Sequence, residues 1–411
     1  MQSIAMQFVL RFVFWYPLLM SMVWTIGGLI FYFRRERKVP PTLKEMPFVS
    51  ILVPCYNEES TIAETIRHLD QLNYPNYEII AVNDGSRDQT ATKLRELSEQ
   101  YERLRVIHLR ENAGKANALY LALIASKGEI LVGIDADAVL DRDALRYMVP
   151  HFTTPHFGER VGAVTGNPRI RNRSSLLARV QVCEFSSIIG LIKRTQRILG
   201  KVMTVSGVIV AYRKSALLDC NLWDRDTITE DIGVTWKLQK RFWDVRYEPN
   251  AICWMLVPET IRGFWNQRVR WAQGGVEALL KHWDVFLDWR YRRLVPIYIE
   301  QACSILWAAL WIISTVILFI QIAASGEFYY PVFWSGTYLS LVCIIQFFVA
   351  MFIDRRYDPG ILKYYLWAIW YPTLYWYFNA LVVLRAIPKA LLQRKKGKFA
   401  VWDSPDRGLG A

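Results

Sequence analysis

The chain has 411 residues, which suggests two or three structural units. Hydrophobic residues make up 53% of it and aromatic residues 14%, with 17 Trp, a balance that argues against an ordinary soluble protein. The formal net charge of +13 invites a nucleic-acid reading, but much of the excess sits at 34–38, 290–293, 355–356 and 394–398. Those are edges of apolar runs, where anionic lipid headgroups explain Lys and Arg more simply, so no nucleic-acid partner is expected.

Taken in chain order, the first apolar run covers 12–33 and carries no charge. A hydrocarbon core of about 30 Å needs roughly 20 such residues. The run leads into Arg34-Arg35-Glu36-Arg37-Lys38 rather than a small-residue cleavage site, so it is predicted to be a membrane helix, not a signal peptide. By the positive-inside rule the chain from residue 34 onward is cytosolic. Residues 1–38 therefore form an N-terminal transmembrane unit, followed after Pro40-Pro41 by a cytosolic domain over 39–262.

In that domain "PFVSILVPCY" (47–56) reads as a buried strand, "EESTIAETIRHLDQL" as a helix and "YEIIAVNDGS" (77–86) as a second strand. A helix over 88–101, a short strand "LRVIHL", a helix "GKANALYLALIAS" entered through a glycine, and a strand "EILVGIDADA" follow. Alternation at this spacing, with continuous apolar strands, predicts an α/β fold with a parallel sheet covered on both faces. Ligands of such sheets lie at the carboxyl ends of the strands. The polar signals fall there: Asn57-Glu58, Asn83-Asp84-Gly85 and Asp135-Ala136-Asp137. Neither GxGxxG nor GxxxxGK[ST] occurs, which removes the main support for a dinucleotide oxidoreductase or a P-loop NTPase. Six cysteines stand singly and five histidines are scattered, so neither structural zinc nor a disulfide framework is expected.

Asp135 and Asp137, two apart at a strand end, could both serve one cation; oxygen-only ligands suit Mg²⁺ or Mn²⁺. A solvated turn is the alternative. Asp84 could accept a hydrogen bond from a base or ribose, or merely form an Asp-Gly turn. Lys115, at a helix start, could meet a phosphate or remain a solvated lysine. "DTITEDIGVTWKLQK" (226–240) puts Glu230 and Asp231 in the first turn of a helix, where capping alone would choose acids. A catalytic reading makes Asp231 a general base.

"FWNQRVRWAQGG" (264–275) opens an interfacial region over 263–293. Gln267, Arg270 and Trp271 share one helix face at i, i+3 and i+4. Arginine offers phosphate a rigid fork of donors, and tryptophan offers a sugar ring a flat platform. Three further uncharged runs, 301–325, 328–353 and 364–384, predict C-terminal membrane helices over 294–393, before a basic tail at 394–411. One helix before the domain and three after would put the tail outside, against its own Arg394, Lys395, Lys396 and Lys398. The expectation is that the tail breaks the rule, rather than that the Pro372-containing segment re-enters without crossing.

"NDGS", "DAD" at 135–137, "TED" at 229–231 and "QRVRW" at 267–271 occur in this order ahead of a membrane bundle. The chain thereby resembles the processive family 2 glycosyltransferases with their D, DxD, TED and QxxRW series. The stretches 161–200, 205–217 and "WDSPDRG" (402–408) are similar to the branch making poly-β-1,6-N-acetylglucosamine. The resemblance implies a GT-A-type domain inserted between transmembrane helices of the bacterial inner membrane, an inverting reaction and UDP-GlcNAc as donor. It implies Tyr56, Glu58 and Asp84 at uridine, and Lys115 and Asp135 against the diphosphate with Asp137 on the metal. It gives Asp231, with Glu230, to deprotonating the acceptor 6-hydroxyl, and Gln267, Arg270 and Trp271 to the diphosphate and acceptor end. Thr165, Gly166, Asn167, Ser206 and Gly207 would line the sugar pocket. A growing polysaccharide exported through the bundle, a small membrane partner subunit and cyclic di-GMP as a regulator follow by the same analogy. Glu300, Gln301, Trp307 and Trp311 are the expected channel-lining groups, with interfacial anchoring as their alternative. A hyaluronan, chitin or cellulose type of synthase, or a non-catalytic transporter or scaffold, are the competing readings.

Overall fold

The structure, a computed structural model, describes residues 4–38, 43, 45–326 and 330–394. The Pro40-Pro41 linker and the basic tail from Lys395 onward lie outside the described residues.

Eight strands make one sheet: β1 (Val49–Cys55), β2 (Tyr77–Asn83), β3 (Leu104–His108), β4 (Ile130–Ile134), β5 (Val139–Leu140), β6 (Val161–Ile170), β7 (Ile209–Arg213) and β8 (Asp244–Met255). Their order is β3-β2-β1-β4-β7-β6-β8-β5. The first four are parallel, as the alternation of strands and helices requires. Beyond them β7 runs antiparallel to both β4 and β6, β8 pairs parallel with β6, and β5 pairs antiparallel with β8. β1, β2 and β4 are buried at every residue because helices cover both faces. Strand parity divides the core. Ile51, Val53 and Ile79 pack with Ile62 and Ile66 of the helix Ile62–Asp70. Leu52, Ile80 and Leu131 pack on the opposite face with Leu119 and Ala122 of the helix Lys115–Ala125. Each such Leu or Ile contributes on the order of 1.5–3 kcal/mol by burial.

Among the described residues three helices are long and apolar enough to cross a bilayer, spanning Met6–Glu36, Val295–Ser325 and Gly336–Asp354. Their surfaces keep large apolar groups such as Phe8, Ile26, Phe319 and Ile320 exposed, as lipid contact requires. The fourth expected span is corrected. The run 364–384 is no continuous helix but a 3₁₀ segment Ile361–Ile369, a π turn Tyr371–Tyr375 and a helix Trp376–Arg394. Pro372 removes an N–H at the break, and the Tyr375 hydroxyl donates to the buried Glu184 carboxylate. The final helix lies against Ile261–Lys281, with Phe378 stacked on Phe264 at 4.8 Å between centroids.

Membrane and sheet meet at a buried ion cluster. Arg194 Nε donates to Glu36 Oε1 at 2.5 Å and its Nη2 to Asp354 Oδ1 at 2.8 Å, while Arg169 Nη2 lies 2.6 Å from Asp354 Oδ2. The Tyr357 hydroxyl donates to Glu36 Oε2 at 2.7 Å. The carboxyl ends of the first and last spans are thus pinned together and to β6. Both ends therefore emerge on the side that carries the sheet.

Candidate active site

β4 ends at Ile134, and the chain then turns through 135–138, closed by Ala138 N–H donating to the Asp135 carbonyl at 3.1 Å. Ala136 turns inward, fully covered, and its carbonyl accepts from Thr65 Oγ1 at 2.8 Å. Asp135 and Asp137, on either side of it, both line a cavity of about 1430 Å³.

The loop after β2 sets the next group. Gly85 has φ +66°, and a Cβ there would lie 2.5 Å from the Glu111 carbonyl carbon, so a glycine is required. The Asp84 carboxylate is completely buried and accepts from the backbone N–H of Ala113 at 2.9 Å and Gly114 at 2.8 Å. Gly114, at φ +89°, starts the helix that carries Lys115. Lys115 Nζ then reaches Asp135 Oδ1 at 2.6 Å and Glu230 Oε1 at 3.0 Å. Burial pulls its proton affinity down, but the charges of Asp135 and Glu230 outweigh that and hold the ammonium firmly charged.

Glu230 and Asp231 open the helix Glu230–Lys240. Asp231 Oδ2 accepts from Gly207 N–H at 3.3 Å and Oδ1 from Ile232 N–H at 2.9 Å. Burial first, and the neighbouring Glu230 charge second, push its carboxyl up to about 6, against the pull of Lys115. A carboxylate with a proton affinity near neutrality is suited to general-base work.

The helix Ile261–Lys281 supplies a further wall of the cavity. Gln267, Arg270 and Trp271 all line it, as their shared face predicts. Among the described residues Arg270 makes no hydrogen bond or ion pair, and Gln267 Oε1 is buried without a donor. Trp271 is braced by Arg268, whose guanidinium carbon lies 4.2 Å from the indole centroid and whose Nη2 contacts Glu184 Oε2 at 2.6 Å. Gly274 lets this helix touch the TED turn: a Cβ there would lie 1.9 Å from Thr229 Oγ1.

Ten of the sequence-selected residues thus share one cavity: Lys115, Asp135, Asp137, Ser206, Gly207, Glu230, Asp231, Gln267, Arg270 and Trp271. Six do not line it. Thr165, Gly166 and Asn167 are corrected: they lie inside β6, where Thr165 Oγ1 accepts from Ser206 N–H at 2.8 Å and Asn167 donates to the Pro249 carbonyl at 2.9 Å. A Cβ at Gly166 would meet Ala251 O at 2.6 Å, so this glycine serves packing. Glu58 is completely buried with its carboxylate accepting from Thr61 Oγ1 at 2.9 Å, and Asp84 is committed to the Lys115 loop. Both shape the site from behind. Tyr56 is half-buried at the end of β1.

From the reaction end the cavity continues between the apolar helices. Tyr16, Ser21, Glu300, Gln301, Trp307 and Gln346 line it there. Trp311 instead stacks on Trp307 at 5.4 Å. Lys193 and the Arg268–Glu184 pair escaped the sequence reading, because "LIKRTQR" resembles a solvated basic run and "QRVRW" shows no sign of which arginine faces in.

Among the described residues no three His, Cys, Asp or Glu side chains gather to hold a metal ion. Asp135 and Asp137 supply only oxygen donors, so a hard divalent cation fits there with ligand oxygens completing its shell.

Residues 47–274 match the model of a family described as glycosyltransferase like family 2. The poly-β-1,6-N-acetyl-D-glucosamine synthase of Staphylococcus epidermidis RP62A is 42% identical over 97% of this chain and 98% of its own. That of Staphylococcus aureus COL is 43% identical over 98% and 99%. The mannosyltransferase PcManGT of Pyrobaculum calidifontis, solved in complex with GDP-Man and Mn²⁺, superposes with a TM-score of 0.63 over 92% of this chain and 99% of that one. At 22% identity it attests the GT-A-like fold.

Proposed function

The chain belongs to the glycosyltransferase family 2, and from that premise we propose that it polymerises N-acetylglucosamine from UDP-GlcNAc into poly-β-1,6-N-acetyl-D-glucosamine. It would do so as an inverting, processive enzyme of the bacterial cytoplasmic (inner) membrane. The observation that carries this reading is the single cavity joining Asp135 and Asp137, the Glu230-Asp231 turn and the Gln267-Arg270-Trp271 face. The names of the staphylococcal relatives support the product.

The acceptor's 6-hydroxyl oxygen attacks C1 of the donor sugar, the C1–O bond to UDP breaks, and Asp231 takes the hydroxyl proton. Its raised proton affinity suits that transfer, and Gly207 N–H orients Oδ2 toward the cavity. Negative charge grows on the departing diphosphate, and Arg270, which among the described residues has no hydrogen-bond or ion-pair partner, is a cavity guanidinium available to meet it. Mg²⁺ or Mn²⁺, held by Asp137 with Asp135 and diphosphate oxygens, would supply further positive charge there. Lys115 keeps Asp135 and Glu230 apart from one another's repulsion and ties the two acidic turns together. The half-buried Tyr56 ring offers a surface for uracil. Trp271, clamped by Arg268, gives the acceptor sugar a fixed apolar platform.

Polysaccharide hydroxyls need polar partners inside hydrocarbon, and the cavity's continuation past Ser21, Gln301 and Gln346 supports export coupled to synthesis. Three spans return the chain to the catalytic side, which favours a cytosolic basic tail that obeys the positive-inside rule. That reverses the expectation drawn from four runs. A small membrane subunit and cyclic di-GMP control stay as proposals from the family likeness.

The test is Asp231→Asn in the purified full chain. General-base assistance is worth about 10²–10⁴-fold, so polymer formation from UDP-GlcNAc should fall by that factor while UDP binding holds. Wild-type polymerisation by the variant, or a wild-type product without β-1,6 linkages, rejects the reading.

A further inference from the structure

Helix Ile192–Leu199 carries three basic residues with different fates. Arg194 is matched by Glu36 and Asp354, and Arg197 by Asp244. Lys193 is only 5% exposed and has no carboxylate within ion-pair distance among the described residues. Its Nζ donates to Ser206 Oγ at 2.7 Å, and the Tyr247 ring centroid lies 6.0 Å away. It also lines the cavity. A buried ammonium without a counterion is costly, so its retention in a cavity wall asks for a ligand. One of three N–H donors is spent on Ser206, which leaves others for the cavity.

Ser206 and Gly207 separate two lysines of opposite circumstance. Gly207 donates to Asp231, and its carbonyl lies 3.5 Å from Lys115 Nζ, on the side of Asp135 and the diphosphate. Lys115 is compensated by carboxylates; Lys193, beside Ser206, is not. Burial pulls the Lys193 ammonium down to about 8, and Asp231 is the one charge opposing that. Lys193 is thus bonded to the residue next to Gly207, whose N–H holds the general base. The ligand expected beside the base is a sugar, and the strongest acceptor a sugar of this polymer carries is an amide carbonyl.

We propose that Lys193 donates to the acetamido carbonyl of an N-acetylhexosamine bound in the cavity and so selects for N-acetylated sugar. This rests on the polymerase reading above. The acetamido group belongs to the donor sugar or to the acceptor end. In either case a de-N-acetylated residue would bring its own ammonium against Lys193 and be rejected.

The experiment uses the full chain in nanodiscs as wild type, Lys193→Gln, Lys193→Arg and Ser206→Ala. One arm measures UDP release without oligosaccharide from UDP-GlcNAc and from UDP-glucose. The other fixes UDP-GlcNAc and offers β-1,6-linked oligomers ending in N-acetylglucosamine or in glucosamine. A site built to bond a substrate group rejects the analogue lacking it, so wild type should prefer the acetylated ligand by about tenfold or more in kcat/KM in one arm. Lys193→Gln should shrink that preference to below about threefold, chiefly through KM. Lys193→Arg should keep part of it, and Ser206→Ala should weaken it. The arm that responds identifies which sugar is read. An unchanged preference in Lys193→Gln, or none in wild type, overturns the proposal. If Lys193→Gln fails to fold, an undiminished preference in both Lys193→Arg and Ser206→Ala overturns it equally. A wild type that releases no UDP from any nucleotide sugar rejects the polymerase reading itself, and the proposal with it.

Discussion

Gly274 offers a test of how the interfacial helix governs the chemistry. It stands where Ile261–Lys281 crosses Thr229, the residue just before Glu230 and Asp231. A Cβ at 274 would lie 1.9 Å from Thr229 Oγ1, 2.6 Å from its Cγ2 and 2.7 Å from its Cβ. Ordinary contact begins near 3.4 Å, so Gly274→Ala asks for about 1.5 Å of movement between the two helices. Rotating Thr229 exchanges one clash for another, because both of its branches are too close. Overpacking of this kind costs about 1–3 kcal/mol, and a 1 Å misplacement of a catalytic group can cost about 10²-fold in rate. The expected result is a kcat lower by about 10²-fold with UDP affinity close to wild type, read by UDP release and by UDP titration. Thr229 makes no capping hydrogen bond to the helix it precedes. Thr229→Ala in the Gly274→Ala background should therefore recover part of the rate, since the remaining Cβ needs about half the movement. A single variant with wild-type turnover, or a double variant no faster than the single one, would refute the coupling.

The acid limb of the kcat/KM profile should fall near pH 6. Asp231 works ionised and is pushed up to about 6, so activity is present above that value and lost as pH drops through it. Glu230→Gln removes the second cause of the rise and frees Lys115 to favour the carboxylate, so the limb should move to lower pH; an unmoved or raised limb contradicts this. Asp354→Asn leaves Arg169 with no paired carboxylate and Arg194 with only Glu36 in a dry junction, a loss on the order of 3–5 kcal/mol that thermal melting of the solubilised chain should register. Glu64→Gln, at the half-exposed pair with Arg171, should change melting hardly at all. Equal effects of the two would mean the junction does not anchor the membrane helices.

Local chemistry carried much of this in the sequence. Continuous apolar strands announced a sheet buried on both faces, because period-2 side chains leave no other use for a run such as "SILV". Strand ends rich in Asp and Asn marked the ligand edge, and i, i+3, i+4 spacing put Gln267, Arg270 and Trp271 together before any coordinates did. Which acids reach the ligand was another matter. Asp84 and Asp137 both follow strands, yet backbone N–H groups some thirty residues away claim the first and leave the second in the cavity wall.

The rest was decided by contacts between distant segments. Hydropathy counts apolar residues one run at a time, so 364–384 passed as a span; at its break Tyr375 is tied to Glu184, itself paired with Arg268, about two hundred and about one hundred residues earlier. Lys193 differs from Arg194 only in what the fold brings opposite it, carboxylates from both membrane ends for one and a serine hydroxyl for the other. Periodicity and turn chemistry act over a few residues and can be read along the chain. The pairing of buried charges is set by segments far apart in sequence, so it exists only once the chain has folded.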